Sequence, residues 1–569
     1  MDAACPAPRF RLLIAAVLLL GSSVFAQTLS GSQDALTSRL ELLSKEGDWQ
    51  EIVALASPIT APSADVEYYY GLALAQLRNL DQAQKIFTDG QKSYPRDKRF
   101  PMELGGIQFK EKHYEEAGQW MRCALRIDAT DAYANDFLGT TYFLQGNLDA
   151  ALKYWNRTQK PQIASILLTS QPGVSPALLD RLFVFAPAST LKLDELWSSE
   201  ARIQGTGIFS SYSFEMAPKT QESFDLRFNS AERHGLGDTK LETALSLFRG
   251  LFRQTIYPEY FNFSGSTTNL LSLLRWDAQR RRFFAALSGP IRHDPKWRYE
   301  VNADLRNENW QMRDSPATRG IVVGAFNFRR EAIGASVKSI PNWRWQWTSG
   351  VEVSHRDFRG VVPGDAVTPG STPAGFSVKQ FATVNYEFLR APEDRLSAFS
   401  DLREETGRVL TGAQDPFSKL QASVGLRWLP RPRGDDLETK ARLNFARSFG
   451  QLPFDELFML GLDPDNLLML RAHVAARDGI KGNAPIGRNF LLANFETNKI
   501  VYSNGLLTLK VGPFVDLGKI IDAGYTYEED KLLIDAGVQA TISVLGVGFT
   551  LSYGKDLRSG ANAVYAAAR

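Results

Sequence analysis

The chain has 569 residues, 22% of them charged, and a formal net charge of +2 at pH 7. This length predicts several domains, and the balanced charge excludes the bulk attraction to nucleic acid that a strongly basic protein has. The histidines show no metal-ligand spacing, and the P-loop, GxGxxG, GxSxG and HExxH motifs do not occur. We therefore expect a protein that is not an enzyme and that holds neither metal nor cofactor.

The N-terminus has the pattern of an export signal. Arg9 and Arg11 precede an apolar run over residues 12–20, and small residues then lead to Ala26. The apolar run is shorter than the ~20 residues that a membrane-spanning helix needs, which disfavours an uncleaved anchor. The pattern predicts a signal peptide over residues 1–26.

The next segment contains a repeat of 34 residues. Windows that begin at Ala64, Lys98 and Ala132 align with one another, and their eighth and twentieth positions are always small: Gly71, Gly105, Gly139, Ala83, Ala117 and Ala151. This spacing resembles the tetratricopeptide repeat (TPR). The resemblance implies an all-α solenoid over residues 27–159 that binds peptides or proteins on its concave face. A generic helical bundle is the alternative.

From about Gln162 the pattern becomes strand, two helices and two strands. The predicted elements cover residues 163–169, 174–185, 193–203, 208–215 and 223–229. Their order and the phrase TGIFSSYSFEM resemble a POTRA domain, a periplasmic module that precedes outer-membrane barrels. The resemblance implies an α+β domain over residues 160–234, with an exposed strand edge that can pair with an extended client. Any other small α+β domain is the alternative.

The remaining residues, 235–569, alternate with a period of two. In WRYEVNADLR, which starts at Trp297, apolar residues face one side of a strand and polar residues such as Arg298 face the other. Such alternation fits an antiparallel sheet over a soluble core, and it equally fits a membrane barrel with a wet interior. Trp343, Trp345 and Trp347 share one predicted strand face, as an interfacial girdle requires. Turn residues divide this region into about sixteen strands.

The segment from Phe454 to Lys519 carries a more specific pattern. It contains FDELFMLGLDPDNLLMLRAH and then GPFVDLGK. These residues resemble the surface-antigen barrel domain of the BamA-, TamA- and FhaC-type outer-membrane proteins. In that superfamily a long loop folds back into the barrel and carries an Arg-Gly-aromatic motif, which Leu470, Arg471, Ala472 and His473 replace here.

The resemblance also implies a partner for the loop motif. An acidic residue in an F-x-D-x-G context follows it, matched here by Asp516 between Phe514 and Gly518. Arg471 is then expected to pair with Asp516 and to pin the loop to the wall, because a guanidinium matches a carboxylate with two parallel hydrogen bonds. The alternative is that Arg471 is a charge in the barrel interior with only water around it. Two departures from the family pattern, Ala472 and His473, leave the shape of the loop tip open.

The resemblance implies a multidomain protein: a TPR solenoid, a POTRA-like domain and a transmembrane antiparallel β-barrel in the outer membrane of a Gram-negative bacterium, with the N-terminal domains in the periplasm. Its function would be to insert or translocate client proteins. The implied partners are unfolded or partly folded envelope proteins, periplasmic or lipoprotein accessory subunits and outer-membrane lipid, but no nucleic acid. The alternative is a scaffold barrel with a passive or plugged pore that anchors a TPR platform.

Overall fold

The computed structural model describes residues 25–220, 223–237, 239–313, 321–364, 367–368, 370–411, 414–431, 434–522, 531–545 and 547–568. The chain divides into two compact units, one ending at Pro161 and the other beginning at Gln162. Within the described ranges, no helix is both long enough and apolar enough to cross a membrane.

The N-terminal unit is helical throughout its described part. Its helices are α1 (Phe25–Glu46), α2 (Trp49–Ala56), α3 (Ala64–Gln76), α4 (Leu80–Ser93), α5 (Arg99–Lys110), α6 (Tyr114–Ile127), α7 (Ala132–Leu144) and α8 (Leu148–Trp155). Three of them, α3, α5 and α7, begin within one residue of the starts of the 34-residue windows. Side-chain oxygens of Ser63 and Asp131 accept backbone hydrogen bonds at the first turns of α3 and α7, which defines where these helices begin.

Small residues allow the helices of this unit to approach closely. Each glycine of the repeat faces a bulky side chain of the next helix, and a Cβ added to it would lie 2.5 Å from Phe87 at Gly71, 2.9 Å from Met121 at Gly105 and 2.4 Å from Trp155 at Gly139. The alanines of the repeat, Ala83, Ala117 and Ala151, are fully buried. Apolar residues therefore face inward in this unit, as in any water-soluble helical array.

The second unit begins with a small α+β domain. Its elements are β1 (Gln162–Leu168), α9 (Pro176–Leu182), α10 (Leu193–Thr206), β2 (Phe209–Pro218) and β3 (Ser223–Glu232). The sheet has the order β1-β3-β2, with β1 parallel and β2 antiparallel to β3. Helix α9 is shorter than its predicted range of 174–185, because Pro176 occupies its first turn and Phe183 is already extended.

A large antiparallel sheet forms the rest of the chain. Helix α11 (Lys240–Phe248) precedes it and lies within residues 235–569, the range that was predicted to form the barrel. The strands are β4 (Thr255–Ile256), β5 (Asn269–Trp276), β6 (Arg280–Ile291), β7 (Asp294–Arg313), β8 (Val322–Ser339), β9 (Trp345–Val362), β10 (Gly375–Ala391), β11 (Leu396–Val409), β12 (Phe417–Trp428), β13 (Leu437–Gly450), β14 (Phe458–Met459), β15 (Ala476–Arg477), β16 (Ile480–Lys481), β17 (Ile486–Gly487), β18 (Asn489–Ser503), β19 (Leu507–Ile521), β20 (Leu533–Val544), β21 (Val547–Asp556) and β22 (Asn562–Ala568).

The order of these strands follows a closed barrel. Seventeen strands belong to it in the described chain, and fifteen form the wall once the two-residue strands β15 and β16 are set apart. The prediction of about sixteen strands differs because β15 and β16 belong to a loop and α11 occupies the chain before β4. Among the described residues, backbone registers join all neighbours in the wall except β22 and β4. At that join the Arg253 guanidinium donates to the Tyr565 hydroxyl at 2.7 Å.

The barrel wall exposes apolar side chains and buries charged ones. On β7, Trp297, Val301 and Leu305 are exposed, whereas Arg298 and Asp304 are buried. The predicted alternation is therefore present, with the polar face turned inward. The same arrangement recurs on other strands, whose exposed apolar residues include Ile333, Val351, Val353, Leu402, Val424, Phe495, Val538 and Leu551.

One predicted member of the aromatic girdle does not lie on a strand. Trp343 precedes β9 and is 7% exposed, because its ring packs on Trp197 of α10 at a centroid distance of 4.6 Å. Its indole nitrogen donates to Asp194 at 3.1 Å. The prediction for Trp343 is therefore wrong, since the small α+β domain covers this side chain.

Candidate functional site: the loop inside the barrel

The loop between β13 and β18, residues 451–488, packs on the inward-facing side chains of the wall. Leu460, Leu470 and Ala475 of this inner loop are fully buried. Leu470 belongs to an apolar cluster with side chains from three wall strands, namely Phe490, Leu492, Ile520 and Leu533. A Cβ on Gly518 would lie 3.1 Å from Leu470, so the bare backbone of β19 leaves room for the loop at this point.

Arg471 lies against Asp516 of β19. Its Nη2 donates to Asp516 Oδ1 at 2.7 Å, and its Nε donates to Oδ2 at 2.9 Å. The backbone N–H of Arg471 donates to the same Oδ2 at 3.0 Å. Both side chains are almost completely buried, with 3% and 0% of the side chain exposed. The resulting pair is bidentate and charge-assisted, which is the strongest kind of side-chain hydrogen bonding.

The remaining groups around Arg471 complete its coordination. Its Nη1 donates to Glu496 at 2.7 Å and to Gln539 at 3.0 Å. The guanidinium carbon lies 3.8 Å above the centre of the Phe514 ring, where a cation is attracted by the ring face. Asn494 in turn donates to Asp516 at 2.8 Å. Strands β18, β19 and β20 thus all hold this one arginine.

Ala472 and His473 contact the next part of the wall. The Ala472 N–H donates to Asp535 Oδ2 at 2.5 Å, and His473 Nδ1 lies 3.2 Å from the same oxygen. Ala472 does not have a positive φ, so no glycine is required at this position. The ring of His473 can hydrogen-bond to the Asp535 carboxylate, which a phenylalanine at the same position could not do.

A second set of ion pairs holds the loop through Asp463 and Asp465. Asp465 accepts from Arg275 of β5 and from Arg282 of β6, each at 2.7 Å. Asp463 accepts from Arg280 at 2.6 Å. Sequence reasoning did not single out these carboxylates. The sequence signal that could have predicted these contacts is the DPD of the loop together with the arginines near the ends of β5 and β6.

A third set lies where the loop begins. Glu456 accepts from Lys419 of β12 at 2.7 Å and from Lys379 of β10 at 3.2 Å. Asp455 accepts from Arg356 of β9 at 3.1 Å. These contacts also went unpredicted, although the two acids stand in the quoted FDELF phrase.

One further ion pair holds the loop to the wall. Lys481 of β16 donates to Glu308 of β7 at 2.8 Å, and both side chains are at most 5% exposed. The anchors therefore occur on strands around the whole wall rather than on one side of it. A loop held in this way occupies part of the barrel interior, where a cavity of about 680 Å³ lined by wall residues also remains.

Nothing among the described side chains indicates a metal centre, since no group of three or more His, Cys, Asp or Glu residues is placed to hold an ion. The repeat residues of the N-terminal unit, from Gly71 to Ala151, pack helices and take no part in this site.

No protein-family model matches the chain, and no curated protein matches it. Solved structures that resemble it include BamA from Haemophilus ducreyi lacking POTRA domains 1–3, at 11% identity, 72% coverage of this chain, 85% of that chain and a TM-score of 0.41. CdiB from Escherichia coli has 14% identity, with 72% and 77% coverage and a TM-score of 0.47. CdiB from Acinetobacter baumannii has 11% identity, with 72% and 74% coverage and a TM-score of 0.42. These likenesses identify no activity or partner for this chain.

Proposed function

We propose that the chain is a bacterial outer-membrane barrel that inserts client proteins into the membrane or translocates them across it. The observation that carries the proposal is the distribution of side chains in the barrel wall. The wall buries ion pairs on its inner side and exposes apolar residues on its outer side. Hydrocarbon is the solvent in which such an outer face is stable. The paired antiparallel strands also satisfy their backbone hydrogen bonds with one another, as a structure that spans lipid requires.

The inner loop supports transport rather than simple anchoring. Arg471 and the acidic residues of the loop are held by charged hydrogen bonds to polar side chains of the wall, and Leu460 and Leu470 pack beside them in an apolar cluster. The charged contacts can be replaced by water or by a polar backbone when the loop moves. In this proposal the pair between Arg471 and Asp516 is the latch that fixes the loop, and Phe514 and Gly518 shape its seat.

Client capture is assigned to the domains before the barrel. After removal of the signal peptide, the helical repeats, as TPR modules, bind client segments in the periplasm. The α+β domain, as a POTRA-like module, offers the edge of β2. That edge is the better candidate because the outer edge of β1 is already bonded to the segment around Ser189, through the Ile163 N–H and the Ala188 N–H. An extended client that pairs with β2 adds one strand to the sheet.

The partners proposed are unfolded or partly folded envelope proteins, accessory periplasmic or lipoprotein subunits, and lipid. No cofactor or catalytic chemistry is part of the proposal. The driving force for transport is then client folding and strand pairing.

A structural scaffold is the second candidate, and the many anchors of the inner loop favour it. A loop held at several strands around the wall describes a plugged barrel. In that case the barrel serves only to attach the repeats to the membrane.

Reconstitution into liposomes separates the two candidates. The client is first identified in intact envelopes with a photo-crosslinking residue at Ser211 or Ser213, two exposed positions on β2. We expect Arg471→Ala to reduce client insertion while the barrel itself still assembles in the membrane. The matched control is Arg329→Ala, which removes an exposed arginine that pairs with Glu331.

The scaffold candidate predicts the opposite result. Arg471→Ala would leave function unchanged, and deletion of residues 64–159 would abolish it.

A further inference from the structure

A crevice opens beside α11, near the join between β22 and β4. Its volume is about 250 Å³, and it is lined by residues of the segment before α11, of α11 itself, of β5 and of the start of β21. Gly207, the residue that caps α10, also lines it, so the crevice lies at the end of the barrel that carries the α+β domain.

One side of the crevice is charged. Arg233 contacts the ring of Phe261 at 5.3 Å, and the described part of the chain offers its guanidinium no hydrogen-bond or ion-pair partner. Arg249, by contrast, forms a bidentate pair with Glu259 at 2.6 and 3.0 Å. The lining therefore contains one arginine that is already paired and one whose donors are available. Glu242 and Glu259 add two carboxylates, so the lining as a whole carries both signs of charge.

The other side of the crevice is apolar and continues into the exposed face of the barrel. Leu236, Leu271 and Val547 line it. Leu271 belongs to the outward face of β5, and the nearby Leu241 and Phe248 of α11 are about half exposed. None of the residues of α11 is buried. An apolar helix surface of this kind suits the boundary between headgroups and acyl chains.

We infer that this crevice binds one glycerophospholipid of the surrounding leaflet. The phosphodiester is held by Arg233, and the acyl chains lie along Leu236, Leu271 and the exposed face of α11. At about 250 Å³ the crevice is smaller than the roughly 300 Å³ of a usual small-molecule site, so the headgroup lies inside it and the acyl chains leave it along its apolar side. Because the lining carries both signs of charge, a zwitterionic headgroup such as phosphatidylethanolamine fits it better than a net anion. This inference rests on the part of the proposed function that places the apolar outer face in lipid.

The test is a lipid titration of the full-length protein. The protein is purified in non-ionic detergent, stripped of lipid and titrated with dioleoyl-phosphatidylethanolamine, and the bound lipid is counted by native mass spectrometry. We expect one lipid per chain at saturation. Arg233→Gln should weaken binding about tenfold, the effect of losing one charge-assisted hydrogen-bonded contact. The matched control is Arg227→Gln, an exposed arginine on β3 outside the crevice.

A second variant tests whether weaker lipid binding comes from the crevice rather than from misfolding of the protein. Leu236→Ser changes a half-exposed residue of the turn before α11 and should weaken lipid binding without altering heat-modifiable migration on a gel. The inference is overturned if Arg233→Gln binds the lipid as the parent does, if no lipid binds, or if inorganic phosphate displaces the lipid at equal concentration. Client insertion is measured separately on the same variants. A wild-type protein that retains the lipid but inserts no client would refute the transport proposal and leave the lipid site standing.

Discussion

The N-terminal helices and the barrel wall differ in which side chains they bury. The helices bury apolar residues, whereas the wall buries charged residues and exposes apolar ones. In the described helices of the N-terminal unit, Phe87 and Leu138 are fully buried, and Glu67 is the one charged residue that is buried. In the wall, Asp516 and Arg356 are buried while Ile333 and Val351 are exposed. Under the proposed function this difference follows from the medium around each outer surface, which is water for the helices and lipid for the wall.

The largest expected effect tests the buried charges of the wall. Asp516→Ala leaves Arg471 buried without its main partner, and breaking a buried pair by removing one member destabilises by about 3–5 kcal/mol. Urea unfolding of the barrel, followed by tryptophan fluorescence in detergent micelles, measures the change. Glu331→Ala, which removes one half of an exposed ion pair, should change stability by less than about 1 kcal/mol. Equal effects of the two variants would show that the interior is hydrated like a surface.

The outward face provides the second test. Ile333→Arg places a cation on the exposed apolar side of β8, and an arginine at the midplane of a membrane barrel destabilises by about 2–4 kcal/mol. The variant should fold into liposomes with a lower free energy of unfolding. Leu77→Arg makes the same kind of exchange at an exposed position of the helical unit, where surface substitutions change stability by about 0.5 kcal/mol or less. If both changes were silent, lipid could not be the medium of the wall.

The third test concerns close packing in the helices. Gly139→Ala would place a Cβ 2.4 Å from Trp155, and such overpacking destabilises by about 1–3 kcal/mol. Gly106→Ala is the matched control, because a Cβ there meets nothing within 4 Å. Alanine should stabilise that helix by about 0.5–1 kcal/mol, since glycine loses more conformational freedom on folding. Thermal melts followed at 222 nm should therefore shift in opposite directions, and a shared direction would contradict the observed packing.

The smallest expected effect is a pH dependence of the helical unit. Lys98 donates to Asp128 at 2.7 Å and to Asp131 at 2.5 Å, and this lysine holds the pKa of Asp128 at about 2, below its ordinary 3.8. A depressed carboxyl pKa stabilises the folded state fully above the ordinary pKa, and this contribution is lost as the pH falls towards 2. Lys98→Gln should thus make the loss of helical signal begin at a higher pH than in the parent.

The control for the pH experiment is another lysine of the same unit. Lys92 pairs with Asp89 at 3.1 Å while both side chains are exposed, so Lys92→Gln should leave the acid transition in place. An unchanged transition in Lys98→Gln would show that the two carboxylates are not coupled to that lysine.

Local periodicity accounts for what could be predicted from the sequence. The period of two identified which residues of β7 share a face, and the period of 34 located the starts of α3, α5 and α7. The position of Arg471 opposite Asp516 followed from a family resemblance rather than from periodicity. The anchors at Asp465 and Glu456 were missed because their partners, Arg275 and Lys419, are distant in sequence and appear only as inward positions of separate strands.

Helix α11 and Trp343 were missed for a different reason. The helix is nine residues long, and a short apolar stretch of this length has no periodicity that separates helix from strand. Trp343 is two residues from a strand that carries two more tryptophans, and its contact with Trp197 depends on how a separate domain docks. Tertiary contacts of this kind leave no trace in a single sequence.

The inner loop also has a mechanical consequence. Its carboxylates and cations form ion pairs with strands that lie far apart in the ring, namely β5, β9, β12 and β19. The loop therefore connects opposite parts of the wall and stiffens the barrel from within. Withdrawal of the loop would therefore leave a softer ring that can become oval, and the stiffness of the cross-section would depend on where this one segment lies.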